Sequence, residues 1–382
     1  MSDWKFAPLA SVATIERSSI QPENIENDTL YVGLEHIISG GELMPPQRVQ
    51  NGDLASSKFR FTQSHILYGK LRPYLAKIAR PDFAGICSTD ILPILPSNDL
   101  DRRFLLHFLR QPAMVQRANN EAVGANLPRI SPTTLGSFKV PLPPLAEQRH
   151  IADILDKADA LRAQRRAALA ELDTLTQSIF LDLFGDPARN TKRLPTTTLG
   201  HLGKWQSGGT PSRAKEAFFS GSIPWFSSGE LEGGYIFASK EHISETALRE
   251  TSARRVPSGS LMLGMYDTAA LKAAIAGIDC SCNQAIAFST IAPKLAETIY
   301  VYSAIVLGRE DFRRLQRGVR QKNLNLSMIR DIRIPLPPLK MQQDFARRIT
   351  AIETLKSRHR TALAELDTLF ASLQHRAFRG EL

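Results

Sequence analysis

The sequence has 382 residues, 43% of them hydrophobic and 23% charged, with a formal net charge of +10 and a pI near 9.6. A chain this long exceeds what one core usually organises, so two or more domains are expected, and the basic surplus favours a polyanionic partner, nucleic acid first. The opening MSDWKFAPLASVATIERS is not a secretion signal, no apolar run approaches the roughly 20 residues that span a bilayer, and Cys87, Cys280 and Cys282 make neither a disulfide framework nor a CxxC metal pair.

In chain order, the first half reads as an α+β domain. Ile91–Leu95 (ILPIL) carries the β-branched residues of a short strand bounded by turn formers, and YVGLEHIISGGEL (31–43) stands where the second half has GGTPSRAKEAFFSGSIPWFSSGEL (208–231). A helix is predicted over Leu100–Arg117 and a loop over GANLPRIS (124–131). At 140 the composition changes: VPLPPLAEQRHIADILDKADALRAQRRAALAELDTL is a proline-rich turn followed by about 35 residues without Pro or Gly, a predicted helix of roughly 50 Å that stops at LFGDP (183–187).

The second half repeats the plan. GGTPSRAKEAFFSGSIPWFSSGEL (208–231), Ala285–Phe288 and a helix over Ala296–Arg317 form another α+β segment, and IPLPPLKMQQDFARRITAIETLKSRHRTALAELDTL begins at 334, an offset of 194 residues from its first copy at 140. Pro141–Leu145 matches Pro335–Leu339, Gln148 matches Gln342, and ALAELDTL at 168–175 recurs at 362–369. Two copies at this distance are a duplicated half-chain unit rather than a solenoid. The division expected is 1–139, 140–187, 188–333 and 334–382.

Mostly apolar positions in the connectors recur at alternating spacings of four and three. They fall at Ile154, Ala158, Leu161, Arg165, Ala168, Leu172, Leu175 and Ile179, and at Arg348, Ile352, Leu355, His359, Ala362, Leu366, Leu369 and Leu373. This spacing predicts a coiled-coil seam, with Arg165 and His359 as polar register devices. Such a helix must pack on something, either the other copy or its own globular domain.

Cofactor and catalytic motifs are missing. The sequence has no P-loop, no GxGxxG after a predicted strand, no HExxH, no GxSxG elbow and no Asn/Asp-Pro-Pro-aromatic tetrapeptide of adenine methyltransferases. No catalytic residue and no metal ligand is nominated.

The two PLPPL-x-x-Q turns, the two ALAELDTL helices and the terminal AFRGEL together resemble the specificity subunit of a type I restriction-modification system. The resemblance covers the whole chain in architecture. It implies two target-recognition domains, each reading one half of a bipartite DNA site, joined by two long helices packed as an antiparallel coiled coil with pseudo-two-fold symmetry. It further implies a non-catalytic, cytoplasmic chain that binds double-stranded DNA, two methylation subunits and restriction subunits, with S-adenosylmethionine, ATP and Mg on those partners. The alternative from another class is a coiled-coil scaffold presenting protein- or carbohydrate-binding modules without DNA.

On this reading the DNA-contacting candidates fall in five loops. YGKLRPYLAK (68–77) interleaves Lys70, Arg72 and Lys77 with Tyr68 and Tyr74, suited to phosphates or a guanine edge; otherwise it is a solvated basic turn. Its counterpart holds Tyr266 and is not basic. GGTPSR offers Thr210 and Arg213 to a phosphate, or is a strand-entry loop. Asn126 and Arg129, and Lys322, Asn323 and Asn325, lie before the closing turns as base or phosphate contacts, or as turn and cap residues. Pro143, Pro144, Gln148, Pro337, Pro338 and Gln342 are the candidates for holding the methylation subunits. Cys280-Ser-Cys282 reads as core.

Overall fold

A computed structural model describes residues 4–266, 269–315 and 323–382. The chain forms two compact units, one of residues 1–166 with 361–382 and the other of residues 167–360. The boundary divides both long helices instead of setting them apart as spacers, so each unit owns half of each helix.

In the first unit, Lys5–Pro8 pairs antiparallel with Lys139–Leu142, which ties the start of the chain to the proline turn. A four-stranded sheet runs in the order Ala13–Ile15, Ile91–Pro96, Ile66–Gly69, Ile78–Ala79. A five-stranded sheet runs Ser19–Ile20, Lys58–Phe61, Gly85–Cys87, Thr29–Val32, Gln47–Val49. Its one parallel pairing places Tyr31 against Ile86 and Val32 against Cys87.

The second unit is built the same way. Thr196–Thr198 pairs with Arg333–Pro335, the strand of the second proline turn. Five strands follow the order Gln206–Ser207, Ile286–Ser289, Leu261–Gly264, Ala273–Ala276, Tyr235–Ile236. Four others run Glu241–Ile243, Ile223–Phe226, Cys280–Cys282, Arg255–Val256. The parallel pair recurs, with Trp225 against Ser281 and Phe226 against Cys282. Cys87, Cys280 and Cys282 are buried and unpaired, and burial pushes the Cys280 thiol up to about 12, as the core reading of these residues requires.

The helix expected over Leu100–Arg117 is two helices, Arg102–Leu109 and Pro112–Asn120. Pro112 lacks the N–H that a continuous helix needs there and instead opens the second one. Asp101 caps the first, its side chain accepting the N–H groups of Arg103 and Phe104. The later helix spans Thr298–Leu315.

The connectors are single helices, Leu145–Phe184 and Leu339–Ala377, of 40 and 39 residues. Within the second unit they run antiparallel: Asp173 meets Lys356, whereas Phe180 and Phe184, further along, meet Phe345, further back. Tyr300 completes this aromatic cluster, 4.9 Å from Phe184 and 5.6 Å from Phe180 between ring centroids. Within the first unit, Arg162 bonds Asp367 and lies 4.3 Å from the Phe370 ring centre. Phe370, Leu373 and Ala377 join a core containing Ile151, Leu155, Phe104 and Phe138.

The packed stripe lies about one position from the seam read in the sequence. Leu161, Leu175, Leu355 and Leu369 are 51%, 45%, 43% and 49% exposed, while Leu155, Phe180, Phe345, Ile349 and Ala377 are buried. The buried line is completed by charged stems whose heads find counter-ions, Arg162 with Asp367 and Lys356 with Asp173 and Glu353.

The two domains differ in how they meet their helix. In the first unit, His107, buried, bonds Asp156 at 2.8 Å; Arg103 reaches Asp153, and Arg80 and Arg110 lie beside Asp156 and Asp159. Burial alone would raise the Asp156 carboxyl, but the His107 hydrogen bond and the charges of His107, Arg80 and Arg103 outweigh it and hold it below the usual range. In the second unit Ile299, Ser303 and Val306, on the helix Thr298–Leu315, instead line an open cavity of about 1170 Å³ with Tyr235, Phe237 and Glu353.

Candidate nucleic-acid interface

Two of the five candidate loops are one surface in the first unit. Leu71 and Arg129 form a β-bridge. Around it, the Arg72 N–H donates to the Pro128 carbonyl at 2.7 Å and the Ile130 N–H to the Lys70 carbonyl at 3.0 Å. Val123 and Arg129 exchange both backbone hydrogen bonds at 2.9 Å, which closes the loop Gly124–Pro128. Gly124 has φ +118°, a conformation glycine adopts without strain, and a Cβ there would meet the Leu127 carbonyl oxygen at 3.0 Å.

The cations divide by role. Lys70 and Arg129 converge on Asp90: Arg129 bonds both carboxylate oxygens at 3.1 and 3.3 Å, and the Lys70 ammonium lies at 3.6 Å. Although partial burial opposes it, Arg129 and Lys70 hold the Asp90 carboxyl below its usual range. Lys77 folds inward, its ammonium donating to the Leu34 carbonyl at 2.6 Å, so its charge serves the fold. Arg72 is exposed and makes no side-chain hydrogen bond or ion pair to a described residue. It and Ala76 take positive φ, +51° and +47°, at either end of the short turn Pro73–Leu75. A non-glycine residue held there is strained, and this turn carries two. Tyr74, within it, is 53% exposed, and Tyr68 is buried beneath.

The second unit places its candidates differently. Arg213 pairs with Glu241 through both terminal guanidinium nitrogens and lies 4.5 Å from the Phe219 ring centre and 5.5 Å from that of Trp225. The hydrogen bond from Arg213 holds the Glu241 carboxyl below its usual range. Arg213 therefore fastens strand Glu241–Ile243 to the aromatic floor instead of standing free for a phosphate. Thr210 hydrogen-bonds Gln284, and Gly209 accepts the Trp225 indole N–H at 3.1 Å. Asn325 caps the helix Leu326–Asp331, its side-chain oxygen accepting the Met328 N–H at 2.9 Å, the cap role that asparagine competes for in such loops. Tyr266 is 36% exposed and Asn323 is exposed. Lys322 lies outside the described residues.

The turn glutamines are corrected from contacts to internal pegs. Gln148 is 1% exposed: its amide oxygen accepts the Asp101 N–H at 2.8 Å, and its amide nitrogen donates to the carbonyls of Asp99 and Pro143, both at 2.9 Å. Gln342, fully buried, accepts the Glu297 N–H at 3.0 Å and donates to the Pro337 carbonyl at 2.8 Å. Both amides are buried and bonded within the chain, so neither is presented at the surface for a partner chain. Pro143 and Pro337 are buried as well, and only Pro144 and Pro338 face outward.

Residues missed by sequence reasoning are Asp90, which organises the two cations, and the exposed aliphatics Val123 and Leu127. Neither had a local signal: Asp90 acts across 39 residues to Arg129, and exposure is not written in apolar character. Among the described residues no group of three or more His, Cys, Asp or Glu could hold a metal ion, and no helix is long and apolar enough to cross a membrane.

This arrangement of two like-built domains, each closed by a proline turn and a shared helix pair, has known counterparts. The family described as "Type I restriction modification DNA specificity domain" matches residues 1–171 and 194–367, and the chain belongs to that family. The chain is 31% identical over 188 residues to the Escherichia coli type I restriction enzyme EcoDI specificity subunit, spanning 48% of this chain and 42% of that relative. It is 22% identical over 436 residues to the EcoKI specificity subunit of Escherichia coli (strain K12), spanning 99% and 89%. Thus the chain spans less than half the length of the first relative and nine-tenths of the second. The S subunit of a type I restriction-modification system from M. genitalium shares the fold, with a TM-score of 0.64, 13% identity and coverage of 98% and 96%.

Proposed function

We propose that this chain is a non-catalytic specificity subunit, whose two globular domains each read one half of a bipartite site in double-stranded DNA. The observation that carries the reading is the family match falling on both halves of a duplicated architecture, 1–171 and 194–367, while the two surfaces presented differ. The Lys70–Arg129 face is basic and the Arg213 face is neutralised by Glu241. A repeated frame with unlike surfaces suits one scaffold reading two words. The scaffold alternative without DNA has no observation of its own in its favour.

The partners proposed are two methylation subunits and restriction subunits, in the cytoplasm, with S-adenosylmethionine, ATP and Mg bound on those partners. Support for a doubled partner comes from the helices. Exposed Leu161 and Leu369 flank the Arg162–Asp367 pair in the first unit, and exposed Leu175 and Leu355 flank the Lys356–Asp173 pair in the second. Duplication makes these equivalent patches, so one chain offers the same apolar contact twice. The test is methylation of a random duplex library by the chain assembled with its methylation subunit. A bipartite motif is expected, and methyl transfer by the chain alone would contradict the assignment.

A further inference from the structure

Val123 is 80% exposed, more than any other large apolar side chain among the described residues, and Leu127 on the same closed loop is 46% exposed. Between them Asn126 is exposed and makes no side-chain hydrogen bond to a described residue. The loop does not hang free. Its base is bridged by Val123 and Arg129 and pinned to the Lys70–Arg72 segment through the Pro128 carbonyl. Cations surround it, with Arg72 outward and Lys70 and Arg129 on Asp90.

Two exposed aliphatics, Val123 at the base of the loop and Leu127 within it, gain nothing from phosphates or water. An amide beside aliphatic carbon does match one feature of duplex DNA. The major-groove edge of an A·T pair presents adenine N7 and N6, which bond an Asn amide bidentately, next to the thymine C5-methyl, which takes apolar contact. The other pairs lack that combination of groups. We infer that the loop Gly124–Pro128 reads an A·T pair in the half-site of the first domain, with Asn126 on the adenine and Leu127 and Val123 on the thymine methyl. The cations at its base position the loop by holding phosphates on either side. This inference rests on the DNA-binding reading above and deepens it.

The experiment uses the assembled complex and a duplex carrying its own motif. Each thymine is replaced in turn by deoxyuridine, which removes only the methyl, and each adenine by 7-deazaadenine, which removes only N7. For the unaltered complex, one A·T pair is expected at which the thymine change weakens binding about 4-fold, the worth of one buried methyl, and the adenine change about 5-fold or more. In Leu127→Ala with Val123→Ala, sensitivity to deoxyuridine at that pair disappears while sensitivity to 7-deazaadenine remains. In Asn126→Ala the reverse holds. Neither set should alter the salt slope or the hydrogen-exchange protection of the first unit, because these side chains are exposed. A complex with no sensitive pair in that half-site, a half-site without an A·T pair, or variants that keep both sensitivities would overturn the inference and leave DNA recognition standing. A complex that binds no duplex would remove the DNA reading itself.

Discussion

Replacing Gln148 with alanine separates a structural peg from a partner contact. The substitution leaves the Asp101 N–H without its acceptor and the carbonyls of Asp99 and Pro143 without their donor, all at a site where the glutamine is 1% exposed. An orphaned buried polar group costs about 1–3 kcal/mol. Three groups, two of them carbonyls with a second lone pair, come to about 3–5 kcal/mol, at the severe end for a single substitution. Gln342→Ala orphans two groups, the Glu297 N–H and the Pro337 carbonyl, and should cost about 2–4 kcal/mol. Since the chain divides into two units, one unfolding midpoint does not describe it. The assay is therefore native-state hydrogen exchange at increasing urea, read separately on Phe104–Leu109 and on Thr298–Leu315. Gln148→Ala should weaken protection of the first helix and Gln342→Ala that of the second. Unchanged protection in both, with lost association to the methylation subunit, would refute the peg and return these glutamines to the partner surface.

Asp156→Asn should destabilise the contact of Arg102–Leu109 with the central helix by about 1–3 kcal/mol at neutral pH. The folded carboxyl titrates below its unfolded value of about 3.9, so its contribution is complete above that value and is lost as pH falls through the folded pKa; urea unfolding of parent and variant should converge below about pH 4. Arg72→Ala, in the assembled complex, should weaken binding similarly for all sequences and lower the salt slope by about one unit, measured by fluorescence anisotropy across a salt series. Arg213→Ala should loosen strand Glu241–Ile243 in hydrogen exchange and leave that slope alone. Four residues inserted in Ala168–Leu175 and four in Ala362–Leu369 lengthen each helix by about 6 Å. The methylated motif should then gain at most about two base pairs of spacer with both half-sites unchanged.

The duplication, the proline turns, the long helices and the core cysteines were legible because each is a local pattern: periodicity, breakers and identity between copies. The seam was misplaced by about one position because apolar spacing cannot say which leucines face solvent. The true stripe includes Arg162 and Lys356, whose burial depends on Asp367 and Asp173 from the other helix. Lys77, Arg213 and Asn325 show the same limit at the interface. Their residue types suit DNA, but a carbonyl at Leu34, a carboxylate at Glu241 and a helix N-terminus had already claimed them. Arg129 and Lys70 stay near the surface because they share one acid, a juxtaposition only the fold creates.

The central claim is that each globular domain owns one half of the DNA word. Its most direct test is to exchange residues 188–333 for the corresponding segment of a family member with a different motif, assemble the hybrid with the methylation subunit, and sequence the methylated sites. The account predicts that one half-site changes to that of the donor while the other half-site and the spacer length stay as they were. A motif that is unchanged, or altered in both halves, would contradict it.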